Sequence, residues 1–554
     1  MKFKKFSTIF VNVLFIIVLN NTIMGRGSIL IMGGGNDRKS WVDDPFIWFV
    51  QQADSGKIIN IDVDEVATSY ASTFISFGAD PSSTSIRIRT TSEANDSTVY
   101  NQLLTASGIW IEGGDQYDYV RVWEGTLVEE AIQKIFDRGG AVGGTSAGCA
   151  IMGSVDFDAR YGTSHPEDAA YNPYHTDVHL SDHFLPLIPD AITDSHFHSR
   201  GRLGRLIPML ARRIQDHSEN NIIGIGVADN TALCIKSDTT AICYGEGTVT
   251  ILYKTDKSEI ECTAHKPVHF THIAFDQLIH GTHYDLRNRT LIAPGEGLIS
   301  VSDTLPEPQL RKIILKGSEE TTADSGEIVI TGLTGDELNA WYGNLGQREG
   351  TKIVPQTVII PKLWQHNDYF ENRLIGGMYG IATHPGFMAL YLDVNSEVII
   401  NSEGWLKVNG LAYILDSHTA TYMGFAKGQN SNYPGIIGGK LYFLSDGDSI
   451  QFSNIQAGIL DDRPDYPHTI KLFPSFPNPF NNSTMFKYSV NTPGFITIDV
   501  YNVKGELVDQ LGEEYVESGL HEKKWRPDRL ASGIYILKLI QEDKSAIQVC
   551  LYLR

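Results

Sequence analysis

A serine held between small residues, directly behind a short apolar run, is the feature that most constrains this chain. Ala141–Gly143 reads as a buried strand and runs into Gly144-Thr145-Ser146-Ala147-Gly148, after which Cys149-Ala150-Ile151-Met152 can begin a helix. A serine on so tight a strand-to-helix turn needs small neighbours, because its backbone is strained and its side chain must stand clear. The helix N-terminus then favours the negative charge that develops during acyl transfer. Upstream, Ser28–Met32, Lys57–Asp62 and Gly108–Glu112 are further strand candidates. Thr126–Arg138 places Leu127, Val128, Ala131, Ile132, Ile135 and Phe136 on one helical face, and Gly139 stops that helix. Strands alternating with helices predict an α/β fold with a parallel sheet covered on both faces.

A serine nucleophile needs a base, and Ile192-Thr193-Asp194-Ser195-His196-Phe197-His198 supplies one. Leu187–Thr193 can form a strand, so His196 at its end can reach Ser146, with His198 as the nearest competitor. Arg200, Arg202 and Arg205 follow at the start of a helix. Guanidinium forks bind carboxylates in bidentate fashion, so this cluster predicts a substrate with free carboxylates. The acid that should orient the imidazole is open between Asp156, Asp158, Glu167, Asp168, Asp177 and Asp182. Gly33-Gly34-Gly35-Asn36 lacks the spacing of a nucleotide loop and reads as a sharp strand exit. Cys149 reads as a small buried residue.

The balance of charge narrows the partners. Lys and Arg number 45 against 66 Asp and Glu, a net charge of −21. A surface that acidic repels nucleic acid and anionic lipid. Five scattered cysteines cannot form a disulfide scaffold. Residues 1–25 have a basic start and a short apolar run, the pattern of a secretory signal peptide, and no membrane span is expected in the mature chain. From 261 to 460 the chain is strand-like and is expected to form a β-rich middle region. Within it Gly380–Leu392 echoes Gly224–Ile235, which leaves open a degenerate repeat or an accessory β-domain. Residues 461–471 are polar and proline-rich, as a linker should be. From 472 to 554, Met485–Val490, Phe495–Tyr501 and Gly533–Ile540 alternate with period two, which predicts a small β-sandwich.

Two resemblances follow from these motifs. "GGTSAGCAIMG" with "TDSHFHSRGRLGRL", preceded by "IWIEGGDQ", resembles the cyanophycinase and aspartyl-dipeptidase family of serine peptidases over roughly residues 27–256. That resemblance implies a three-layer α/β/α domain like the class I glutamine amidotransferases, placed at residues 26–260. It implies Ser146 as nucleophile, His196 as base and Glu167 as the acid. The oxyanion amides map to Gly114 and Ala147, and the substrate-binding positions to Gln116, Asp194, Arg200, Arg202 and Arg205. No metal or cofactor is implied. Ser195 stands where the family carries a glutamine that would touch substrate. The C-terminal segments "FPNPFN", "ITIDVYNVKGELV", "GLHEKKW" and "LASGIYILKL" resemble the sorting domain read by the type IX secretion system. The implied partners are carboxylate-bearing peptides and the secretion machinery, with a second copy of the chain as a further candidate. The resulting expectation is a secreted exopeptidase or dipeptidase that cuts aspartate-containing peptides or a cyanophycin-like polymer. Its rival is a non-catalytic, surface-attached peptide-binding protein on the same scaffold.

Overall fold

The computed structural model describes residues 27–37, 39–64, 67–301, 312–333, 343–364, 372–426, 433–452 and most of 471–553. The expected signal peptide and almost all of the expected linker lie outside these residues. The chain divides into two compact units, Met1–Leu460 and Asp461–Arg554.

In the first unit, five parallel strands form one side of a sheet that has nine strands among the described residues. They are β1 (Ser28–Met32), β2 (Ile58–Asp62), β3 (Thr84–Arg87), β4 (Gly108–Ile111) and β5 (Ala141–Thr145), in the spatial order β1-β5-β4-β2-β3, with β3 at the sheet's edge. Every residue of β1, β2, β4 and β5 is buried. Alternate residues of β1 serve two different cores, which is why the strand reads as one continuous apolar run. Leu30 and Met32 pack with Phe49, Phe74 and Trp110 on one face. Ile29 and Ile31 pack with Ile109, Ile132 and Ile135 on the other. Each large side chain removed from water in this way contributes about 1.5–3 kcal/mol.

A second sheet carries β6 (Gly153–Phe157), the short β7 (Leu180–Ser181), β8 (Ile188–Asp194) and β9 (Ile223–Val227). The strand predicted at Leu187–Thr193 is therefore present as β8, but it belongs to this second sheet. After β9 the chain crosses to the first sheet, where β10 (Thr231–Ile235) pairs antiparallel with β1. It continues through β11 (Thr240–Gly245) in the first sheet and returns to the second as β12 (Val249–Lys254).

The middle region does not stand apart. After β13 (Ile260–Glu261), strand β14 (His269–Leu278) pairs with β12 on one side and with Pro434–Leu444 on the other. His283–Asp285 and Thr290–Ala293 extend the first sheet. No break falls at residue 260, because β14 needs ladder partners from both sides of it. The suggested repeat also dissolves. Gly224 sits on strand β9, whereas Gly380 sits inside the helix Leu374–Thr383 that precedes strand Met388–Leu392. Alike in letters, the two segments differ in secondary structure.

The second unit is a small two-sheet β domain. Thr484–Val490, Gly494–Asn502 and Gly533–Gln541 contain the three predicted alternating segments. Phe486, Ile498, Val500, Trp525, Leu537 and Leu539 form its core.

Asp156 on β6 is fully buried, and neither carboxylate oxygen has a hydrogen-bond partner. Burial, with the nearby charges of Asp158, Glu124 and Glu129, holds its carboxyl well above the ordinary value. An acid raised by folding contributes stability below its unfolded value, and that stability is lost as pH rises through the folded value. Asp156→Val is accordingly expected to raise the melting temperature at neutral pH and to lose that advantage in acid. An unpartnered buried polar group costs roughly 1–3 kcal/mol. A calorimetric pH series checks this, and equal melting at neutral pH would contradict it.

Candidate active site

Ser146 follows β5 directly, and its backbone takes φ 53 and ψ −110 before the short helix Ala147–Ala150. This is left-handed space that a side chain enters at a cost of order 1–3 kcal/mol. Surrounding contacts over-determine it. The Ser146 amide donates to the Met32 carbonyl at 3.0 Å. A Cβ on Gly148 would stand 2.4 Å from the Ile111 carbonyl oxygen, so the turn can press against β4 only with glycine there. The Gly113–Gly114 turn abuts the serine, and a Cβ on Gly113 would lie 3.7 Å from Ser146 Oγ.

The imidazole comes from the second sheet. His196 follows β8, and its Nε2 lies 2.8 Å from Ser146 Oγ. Its amide donates to the Gly33 carbonyl at 2.8 Å, and the next amide, that of Phe197, donates to the Val227 carbonyl at 3.1 Å. The glycines after β1 make room for this ring. A Cβ on Gly34 would stand 2.4 Å from His196 Cε1, and Gly34 has φ +101. The expected sharp strand exit is present, and its work is to lie flat beneath the imidazole. Gly34→Ala is expected to push the ring off Ser146 and lower kcat about 10²-fold, the cost of an ångström-scale displacement. Circular dichroism should remain unchanged. Full activity in that variant would show that the ring tolerates the added methyl.

The carboxylate that holds the ring is Asp229. Its Oδ1 lies 2.5 Å from His196 Nδ1. Asp229 sits in the turn Ala228–Asn230 between β9 and β10, where the chain passes from the second sheet to the first. Burial alone would raise its carboxyl. The hydrogen bond and charge of His196, with the Ser199 hydroxyl and Arg200, outweigh that and hold it below the ordinary carboxylate value. Glu167 is not this group. It lies on the helix Pro166–Tyr171, where its charge acts on Tyr171 and Tyr413. Among the other candidates, Asp158 contacts His179 and Asp182 contacts Arg213, while Asp156 is buried on β6. Asp229 follows both Ser146 and His196 in sequence, outside the stretch that holds the six acids the sequence offers. Its signal was the polar break Asp229-Asn230 between two apolar runs.

The arginine cluster divides. Asp194 accepts from Arg205 Nε at 2.8 Å and Nη2 at 2.6 Å, and from Arg202 Nη1 at 3.0 Å. Burial would raise Asp194, but Arg205 and Arg202 overcome it and hold the carboxyl low. Arg205 and Arg202 are themselves buried, so their forks serve an internal ion pair. Arg200 stays half-buried and its charge reaches Asp229. Gln116 donates to the Phe157 carbonyl at 3.1 Å. His198 is fully buried with Nε2 3.0 Å from Thr248 Oγ1, and burial pushes it down to about 3. It cannot rival His196 as a base. Cys149 is also fully buried, and its thiol is raised by burial.

A cavity of about 610 Å³ lies beside these elements, lined by Asn36, Asp37, Phe46, Tyr70, Phe77 and Glu112 among others. Asp37 continues the loop under His196, and Glu112 precedes the Gly113–Gly114 turn. Burial raises the Asp37 carboxyl, against the Tyr70 hydroxyl that donates to it at 2.5 Å.

Residues 45–243 match the family described as Peptidase family S51, and residues 475–550 match the secretion system C-terminal sorting domain. A cyanophycinase of Trichormus variabilis is 31% identical over 210 residues, which are 37% of this chain and 65% of that protein. A cyanophycinase of Geminocystis herdmanii is 28% identical over 294 residues, 50% of this chain and 98% of the relative. The chain thus spans 65% of the length of the first relative. A crystal structure of a peptidase from an acI-B1 Actinobacterium is 14% identical, covers 47% of this chain and 96% of that one, and has a TM-score of 0.33. Residues 45–243 thus match peptidase family S51 and are similar to the cyanophycinases, and behind them a sorting domain marks the chain for secretion to the cell surface.

Proposed function

We propose that this chain is a secreted serine peptidase that works through Ser146, His196 and Asp229. The observation that carries this reading is the unbroken run of contacts, Oγ to Nε2 at 2.8 Å and Nδ1 to Oδ1 at 2.5 Å. A carboxylate on Nδ1 fixes the tautomer whose Nε2 lone pair faces the hydroxyl. His196 takes the Ser146 proton as Oγ attacks the scissile carbonyl, then returns it to the leaving amine. Water enters by the same base, and the acyl group departs as a carboxylic acid. In this reading the tetrahedral oxyanion is served by the amide of Ala147, next to Ser146, and by that of Gly114, in the turn whose Gly113 abuts the serine.

The substrate class is peptides containing aspartate, or a cyanophycin-like polymer, cut from an end. Of the expected substrate-binding set, Arg202 and Arg205 spend their forks on Asp194 and Gln116 donates to the Phe157 carbonyl, so this reading assigns the substrate carboxylate to Arg200. The test is covalent labelling by a fluorophosphonate probe, in which Ser146 Oγ displaces fluoride. It is joined to mass spectrometry of products from cyanophycin and a panel of aspartyl dipeptides. Labelling with dipeptide release supports the reading. Binding of the polymer with neither labelling nor release would replace it with the peptide-binding alternative.

A further inference from the structure

The loop that carries His196 is held from behind by a segment far outside the matched peptidase region. Asn372 is 1% exposed, and its Nδ2 donates to the His198 carbonyl at 2.8 Å, with the Ser199 carbonyl at 3.5 Å. Ser199 in turn returns to the centre. Its hydroxyl donates to the His196 carbonyl at 3.2 Å and also lowers the Asp229 carboxyl. Trp364 closes the same face. Its ring occupies the space where a Cβ on Gly204 would stand, at 2.4 Å, and its Nε1 is 3.2 Å from the same point on Gly201.

This segment is itself anchored. Arg373 donates from Nη1 and Nη2 to the two carboxylate oxygens of Glu320, each at 2.9 Å, and from Nη1 to the Pro361 carbonyl at 3.2 Å. The Tyr391 hydroxyl donates to the Leu374 carbonyl at 2.8 Å. A carboxamide donor is therefore fixed at one end by the middle of the chain and at the other by the turn after the imidazole. From this juxtaposition we infer that Asn372 is a positioning residue for the reaction, acting through the His198 and Ser199 carbonyls to set the His196–Asp229 pair. The middle of the chain thereby becomes part of the reaction centre. The inference rests on the proposed hydrolytic reading.

The test is the fluorophosphonate labelling rate of the full chain as a function of pH. Asn372→Asp keeps shape but turns a donor toward the carbonyls into an acceptor. It is expected to label about 10²-fold slower at neutral pH, with KM for a dipeptide little changed and kcat carrying the loss. Protonation restores one donor, so the variant-to-wild-type ratio should rise as pH falls from about 8 to about 5.5 at temperatures where circular dichroism and melting show the variant fully folded throughout, a trend that a merely structural role would not produce under those conditions. A wild-type rate in Asn372→Asp, or a pH-independent ratio, overturns the inference. If that variant does not fold, Glu320→Gln decides, since Glu320 is half-exposed and loosens Arg373 from behind. Slower labelling there supports the inference, and an unchanged rate overturns it. If the wild-type chain itself is not labelled, the hydrolytic reading falls and the inference with it. Labelled wild type beside an unaffected variant removes the inference alone.

Discussion

Ser146→Ala is expected to lower kcat on the order of 10⁶-fold while leaving the fold intact, the scale seen when the nucleophile of such a constellation is removed. The size follows from what the residue supplies. On the proposed reading its Oγ is the atom that bonds to the acyl carbon, and neither His198 nor Cys149 can substitute. His198 is sealed with Thr248, and Cys149 is fully buried with its thiol raised above the ordinary value. The fold should survive because the backbone strain at φ 53 belongs to the turn, and alanine bears it about as serine does. Stopped assays on the purified variant, with melting as control, provide the check. Turnover within tenfold of wild type would exclude Ser146 as the attacking atom.

Asp229→Asn is expected to cost about 10⁴-fold in kcat, with KM nearly unchanged. An amide nitrogen placed toward Nδ1 forces the other tautomer, and Nε2 then presents a proton to Ser146 instead of a lone pair. Glu167→Gln should stay within a few-fold of wild type, because that carboxylate is near Tyr171 and Tyr413. The pair of variants separates the two acids in one experiment. Equal loss in both, or loss in Glu167→Gln alone, would return the role to Glu167. The acid limb carries a second signature. A carboxyl held below its unfolded value adds stability above that value, and the stability is lost as pH falls through the folded one. Melting of wild type should therefore decline more steeply in acid than melting of Asp229→Asn.

The parts of this centre that depend on neighbouring residues were legible in the sequence. The Ser146 turn is written in its flanking glycines, since the contact of Gly148 with β4 is a local demand of strand, turn and helix. His196 was legible for the same reason, as a polar residue at the end of an apolar run. The C-terminal strands were legible from period-two alternation. Asp229 was not, because nothing local distinguishes a turn aspartate that faces solvent from one that faces an imidazole. That distinction arises when β9 and β10 join different sheets. The arginines misled for a related reason. A guanidinium fork signals a carboxylate partner, and here Asp194 beneath the helix is that partner for two of the three. The boundary at residue 260 failed because strand composition does not reveal which sheet a strand joins.

The crossing between β9 and β10 has a consequence for the order of events in biosynthesis. A nascent chain that already holds Ser146 and His196 still has an imidazole without its counter-charge. On the proposed hydrolytic reading, competence arrives when the β9–β10 turn spans both sheets, so a half-made molecule is poorly equipped to cut itself or its neighbours. On that reading, the sequence position of one aspartate delays the completion of the triad.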